Sequence, residues 1–183
     1  MTGGTLRSRR LPNVPKHGVR PTPARVKESL FAILDDRIDD AIVLDLFAGS
    51  GALGFEALSR GAKFATFVES NAQVADRLRE AAVELGVAKK SEVFTMRAER
   101  AIARLQRTYD VVFVDPPYEM GFPEAPLRAL QTRELLAPEA VIVFEHSGHS
   151  SPPTPGFETT REERYGDVVI AFLRVDPGAQ PAR

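Results

Sequence analysis

Five short apolar runs, each separated from the next by a segment of helical character, constrain this chain more than any other feature. The first, Ile42-Val43-Leu44-Asp45-Leu46-Phe47, leads straight into Ala48-Gly49-Ser50-Gly51. A run of that length bounded by turn residues fits a strand buried on both faces of a parallel sheet. A helix is expected over about 52–59, with Gly61 placed to end it. The alternation continues with a strand over 64–68, an amphipathic helix over 71–85 stopped by Gly86, and a strand over 91–96. A helix over 98–107, a strand over 109–114, a helix around 126–135 and a fifth strand over 140–145 complete it. Ahead of the series, Val26, Leu30, Phe31, Ile33 and Leu34 share one helical face, in a helix beginning at Pro21 or Thr22 and ending near Asp35-Asp36. After it, a loop over 147–156 precedes two strands, 159–164 and 167–174, that read as an antiparallel pair turning at Tyr165-Gly166. Alternation at this spacing implies an α/β fold, one doubly wound parallel sheet with helices on both faces.

The 183 residues suffice for one substantial core. The expected division is a basic arm or short hairpin over 1–19, one domain over 20–175 and a tail over 176–183. The net charge of −1 excludes a protein that coats nucleic acid by bulk charge, but the charge is unevenly placed. Arg7, Arg9, Arg10, Lys16, Arg20, Arg25 and Lys27 all precede the first carboxylate, Glu28. Such an arm suits an anionic partner gripped locally, its arginines contacting phosphates. With no cysteine there is no disulfide, thiolate metal site or cysteine nucleophile. His17, His146 and His149 are too scattered for a metal site, and His146 reads as structural rather than cleft-lining. No apolar stretch reaches the length of a membrane span and the N-terminus lacks the apolar core of a signal peptide, so a cytoplasmic protein is expected.

Glycines at 49, 51 and 54 sit between a strand and a helix, where the backbone must turn tightly and approach a ligand. Gly49 to Gly54 also satisfies the dinucleotide fingerprint G-x-G-x-x-G, so charge must choose the cofactor. Asp45, at the strand end, would repel a pyrophosphate and attract the sulfonium and ammonium groups of S-adenosylmethionine. Glu69 ends the next strand, about twenty residues on, where a carboxylate accepts ribose hydroxyls. The competing role for Asp45, capping the helix that follows, places it several residues too early.

Asp115-Pro116-Pro117-Tyr118 follows the apolar run Val111-Val112-Phe113-Val114 and so lies at the sheet's carboxyl edge. Two prolines fix the backbone and remove two N–H donors, leaving carbonyls for a donor-rich ligand. An exocyclic amine on a base is a poor nucleophile because its lone pair is delocalised. The Asp115 carboxylate and Pro116 carbonyl can bind both its N–H groups and aim the lone pair at the methyl, with Tyr118 stacking on the base.

With these segments in view, the chain resembles the RsmD family of 16S rRNA guanine-N2 methyltransferases. The resemblance is carried by Arg20-Pro21-Thr22, Arg25-Val26-Lys27-Glu28-Ser29-Leu30-Phe31, the segment from Asp45 to Gly54, Ser59-Arg60-Gly61-Ala62 and Val68-Glu69. It continues through Asp115-Pro116-Pro117-Tyr118, Glu145-His146 and Tyr165-Gly166-Asp167. The glycine loop and tetrapeptide are shared by amino-methyltransferases generally; the Arg-Pro-Thr segment, its helix and the Tyr-Gly-Asp narrow the match.

The resemblance implies a Rossmann-like methyltransferase fold of seven strands with the last pair antiparallel. It implies S-adenosylmethionine as cofactor and, as target, the guanine numbered 966 in 16S rRNA within the small subunit or an assembly intermediate. By position, Asp45, Phe47, Ala48, Gly49, Ser50 and Gly51 would hold the methionine part of the cofactor and Glu69 its ribose. Asp115, Pro116, Pro117 and Tyr118 would handle the guanine, and Arg20, Thr22 and Arg25 would lie near RNA or cleft. Many relatives carry an Asp after the third strand for the adenine amino group. Here the stretch is Met96-Arg97-Ala98-Glu99, so that contact falls to the backbone at Arg97-Ala98 or to Glu99. A monomer without metal is expected. Three readings compete: the same chemistry on an adenine N6 or a glutamine amide, an NAD-linked oxidoreductase, and a catalytically silent RNA-binding module.

Overall fold

The computed structural model describes residues 1–9, 11, 24–117, 121–149 and 154–178. Helix α1 (Ala24–Leu34) precedes strand β1 (Ile42–Asp45), and α2 (Ala52–Ser59), β2 (Phe64–Glu69), α3 (Ala72–Glu84) and β3 (Ser91–Thr95) follow. Then come α4 (Ala98–Ile102), β4 (Tyr109–Val114), α5 (Glu124–Thr132), β5 (Leu136–Ser147), β6 (Phe157–Tyr165) and β7 (Val168–Val175). The seven strands form one sheet in the order β3-β2-β1-β4-β5-β7-β6. Strands β1 to β5 pair in parallel, and β7 runs antiparallel to both β5 and β6.

Alternation along the strands sorts the core into two layers. Val43, Phe67, Val111, Phe113, Val143 and Ile170 pack with α1, α2 and α3; Leu44, Val112, Val114, Ile142 and Phe144 pack with α4 and α5. This places helices on both faces, the doubly wound arrangement expected. Because β1 lies between β2 and β4, the chain leaves β1 in opposite directions along the sheet. The crevice outside the carboxyl ends of β1 and β4 is where ligands of such sheets bind.

Several bounds differ from expectation for physical reasons. Strand β1 stops at Asp45 because Leu46 and Phe47 already enter the turn, although the Leu46 N–H still donates to the Phe113 carbonyl at 3.0 Å. Helix α4 ends five residues before 107: Leu105 is buried against the second core layer, and the Ile102 carbonyl at the helix end accepts from both the Leu105 N–H and Arg133. Strand β5 runs longer than the apolar run at both ends, because Leu136 pairs with Tyr109 of β4 and β7 continues to pair with β5 out to Ser147.

The first nine residues, within the segment read as a basic arm or short hairpin, form a series of turns. They fold back onto α2, whose Glu56 has no exposed surface. Its carboxylate accepts the Thr2 N–H (2.8 Å), the Thr2 hydroxyl (2.7 Å), the Gly3 N–H (2.8 Å) and Arg60 Nε (2.9 Å). The Leu6 N–H donates to Ser59 Oγ at 2.9 Å. Gly4 adopts φ +72°, and a Cβ there would lie 1.7 Å from the Ser59 carbonyl oxygen, so no other residue fits. Arg7 and Arg9 remain exposed. Arg10, Lys16, Arg20 and Thr22, also expected to meet RNA, lie outside the described residues, as does Tyr118.

Candidate active site

The carboxyl edge of the sheet gathers Asp45 from β1, Glu69 from β2 and Asp115 just past β4. Pairing aligns Asp45 with both Phe67 and Phe113, so Glu69 and Asp115 stand two residues above it on the flanking strands. Asp45 is 4% exposed, and its Oδ2 accepts the Gly54 N–H at 3.0 Å. Asp45 therefore does cap α2, contrary to the sequence argument: the turn over 46–51 doubles back and brings the third helical N–H to the strand end. Glu69 accepts the Gly49 N–H at 3.0 Å through Oε2 and the Asn71 N–H at 2.7 Å through Oε1, fastening the glycine turn to the entry of α3. Oε2 keeps a second lone pair for a ligand hydroxyl, while Oε1 also accepts from Ser70 Oγ at 3.5 Å, a long bond that a ligand hydroxyl can displace.

The turn is closed by Ala48 N–H donating to Val68 O (2.9 Å) and Gly51 N–H to Ala48 O (2.7 Å), with Phe47 and Ser50 half-buried beside it. Gly49 has φ +50° and Gly51 φ +72°. A Cβ on Gly51 would meet Leu78 and Phe55 at 2.6–2.7 Å, and one on Gly54 would enter the Phe67 ring at 2.3 Å. Two of the three fingerprint glycines thus serve the packing of α2 against β2 and α3. Such packing is common to glycine turns that bind either cofactor, so the choice rests on the flanking carboxylates.

Burial pushes the Asp45 carboxyl up to about 7, against the Gly54 hydrogen bond and helped by the negative charge of Glu69. Asp115 is also raised far above the usual carboxylate range, by burial first, then by Glu145 and Asp45. Among the described residues no ion pair reaches Asp45, Glu69 or Asp115. A cationic ligand is what such an edge lacks. No three side chains of metal-ligating type converge among the described residues, and no described helix is long and apolar enough to cross a membrane.

Pro116 is buried and Pro117 exposed, continuing the strand line past β4. Arg97 and Ala98 open α4 immediately after β3, whose Thr95 pairs with Glu69, so they join the same edge. Arg25 is exposed on α1. That helix is tied to the β6–β7 turn where the Tyr165 hydroxyl donates to Ser29 Oγ, joining two segments the sequence singled out separately. His146 is 7% exposed, stacks on Phe144 and bonds the Ser147 carbonyl, a packing role. The sequence missed Glu56, though a carboxylate inside the otherwise apolar Ala52–Ser59 helix was a readable signal. A cavity of about 400 Å³ lies at the opposite, amino edge of β5, lined by Arg37, Glu139, Arg161 and Arg174 among others. Its arginines are already engaged, Arg161 with Glu163, Arg174 with Glu158 and Arg37 with the Glu139 carbonyl, so it gathers no free chemistry.

A doubly wound sheet with a final antiparallel pair, its glycine turn flanked by carboxylates instead of phosphate-binding groups, defines an S-adenosylmethionine-dependent methyltransferase. The chain belongs to the family described as conserved hypothetical protein 95, matched over residues 1–174, which is the RsmD family it resembles in sequence. It is 41% identical over 174 residues to ribosomal RNA small subunit methyltransferase D of Escherichia coli strain K12, covering 94% of this chain and 87% of that one. The solved structure of yhhF from Escherichia coli superposes with a TM-score of 0.84 at 39% identity, covering 97% of both chains. An RNA methyltransferase from Salinibacter ruber, solved with S-adenosyl-L-homocysteine, shares the fold at 19% identity, with a TM-score of 0.64 over 88% of this chain and 99% of that one.

Proposed function

We propose that this enzyme transfers a methyl group from S-adenosylmethionine to the exocyclic N2 of a guanine in 16S rRNA, at position 966, within the small subunit or an assembly intermediate. The observation that carries the reading is the Asp115-Pro116 step at the end of β4, one strand from Asp45 and the glycine turn. The relative at 41% identity is named for ribosomal RNA of the small subunit, which supports the substrate class.

The cofactor, when bound, supplies an electrophilic methyl on a sulfonium cation, and the chain's residues fit it. Asp45, with the turn from Phe47 to Gly51, holds the cationic methionine part, relieving the repulsion among buried carboxylates. Glu69 accepts the ribose hydroxyls with its remaining lone pairs, and the backbone at Arg97-Ala98 meets the adenine. The Asp115 carboxylate and the Pro116 carbonyl accept the two N–H groups of N2, so the nitrogen lone pair turns toward the methyl. Asp115 then takes the proton that N2 sheds. Pro117, without an N–H, keeps that backbone from offering a competing donor, and Tyr118 stacks on the displaced base. Arg7, Arg9, Arg10, Lys16, Arg20, Thr22 and Arg25 contact phosphates. The enzyme acts as a monomer in the cytoplasm.

The test is incubation with radiolabelled S-adenosylmethionine and small subunits from cells lacking the modification, followed by nucleoside analysis of the digested RNA. Label is expected in N2-methylguanosine. Asp115→Ala, with cofactor binding intact, should lose about 10²–10³-fold or more in turnover. Label in N6-methyladenosine would retain the cofactor site and overturn the guanine assignment.

A further inference from the structure

We infer that Glu145 is a specificity-determining residue, its carboxylate accepting the N1–H of the guanine while Asp115 and Pro116 hold N2. The inference rests on the guanine-N2 reading above. Strands β4 and β5 pair in parallel with Val112 beside Ile142, Phe113 beside Val143 and Val114 beside Phe144. The next step in that register sets Asp115 beside Glu145, at the strand spacing of about 4.8 Å, a distance on the scale of one purine edge.

The facing is fixed as well as the spacing. Glu145 lies within unbroken β5, two residues beyond Val143 and paired with Ile170 of β7, and both of those belong to the core layer under α1 and α2. It therefore looks to the side on which Asp45 and Phe113 stand. His146 looks to the other, stacked on Phe144. The negative charge of Glu145 is felt at Asp115, where after burial it is the strongest influence holding the proton on, an independent sign that the two carboxyls share one space. Glu145 is half-buried, so its charge acts through little water.

The chemistry of the bases makes this placement selective. Guanine presents N1–H and N2–H₂ side by side as donors, so two neighbouring carboxylates match that edge. Adenine presents a bare N1 lone pair beside its amine, which a carboxylate at Glu145 repels. Asp115 alone recognises any exocyclic amine; Glu145 beside it requires a donor at the adjoining ring nitrogen.

The experiment uses small subunits reconstituted with 16S rRNA carrying either guanosine or 2-aminopurine riboside at the target position. The analogue keeps the amine on C2 but has a bare N1. Wild-type enzyme is expected to methylate the analogue with kcat/KM lower by about tenfold or more, the scale of one base-edge discrimination. In Glu145→Gln the side-chain amide can donate to the bare N1. Its preference for guanine should fall to within about threefold or invert, with cofactor affinity by calorimetry unchanged. A variant that loses activity on both substrates equally, keeping the wild-type ratio, would overturn the inference. So would wild-type enzyme that methylates both equally, which needs no variant to fold. Wild-type enzyme that labels no guanine would instead refute the proposed function, and this inference with it.

Discussion

Asp45 and Asp115 are carboxylic acids placed where burial opposes their ionisation and where no described cation meets them. Between the ordinary carboxyl value of 3.8 and about 7, the folded protein therefore holds a proton on Asp45 that the unfolded chain has released. The empty fold accordingly loses stability as pH rises through that window. A cationic cofactor reverses the preference, so its binding should expel protons. Calorimetry at pH 6 in buffers of different ionisation enthalpy is expected to show release of about one proton per cofactor, declining above pH 8 and reduced in Asp45→Asn. Binding with no proton exchange at pH 6 would contradict the electrostatic account. Asp45, Glu69 and Asp115 were legible in the sequence because each ends or directly follows an apolar strand. The capping bond from Asp45 to Gly54 was not, since it depends on the path of eight intervening residues rather than on spacing.

At the scale of elements, α2 carries more than the glycine turn. Glu56 satisfies four donors from the first residues and Arg60, and these contacts hold its carboxyl below the usual range against the cost of burial. Its stabilising effect is present above the ordinary value of 4.5 and is lost as pH falls below it. Glu56→Ala strands those donors and should cost about 3 kcal/mol in urea denaturation at pH 7; a loss under about 0.5 kcal/mol would show that the N-terminal residues are only laid against the helix. Among the described residues, the sequence foretold the existence of each α-helix and strand, but not the 3-10 turns at Asp35–Arg37 and Ala88–Lys90 and not this clasp. A glycine-rich, basic start has no periodicity, and its structure is dictated by a partner more than fifty residues away. The β6–β7 pair was visible from its turn, whereas its link to α1 through Tyr165 and Ser29 spans 136 residues and leaves no local pattern.

For the molecule as a whole, charge is arranged by edge. The β6 edge strand exposes Glu158, Arg161, Glu162 and Arg164, a mixed row that guards unpaired backbone against association. Arg7 and Arg9 project from the clasped N-terminus. Replacing both with alanine should weaken binding to small subunits and lower the slope of log affinity against log salt by about 1.4, with cofactor affinity unchanged; an unaltered slope would remove them from the RNA contact. The carboxylates of the cleft have a consequence for turnover itself. The cofactor enters with a positive sulfur and leaves as a neutral thioether, so a pocket selected by negative charge grips the molecule before the reaction more tightly than after it. Competition binding of the two forms at one pH is expected to show the spent cofactor, neutral at sulfur, held less tightly than its precursor.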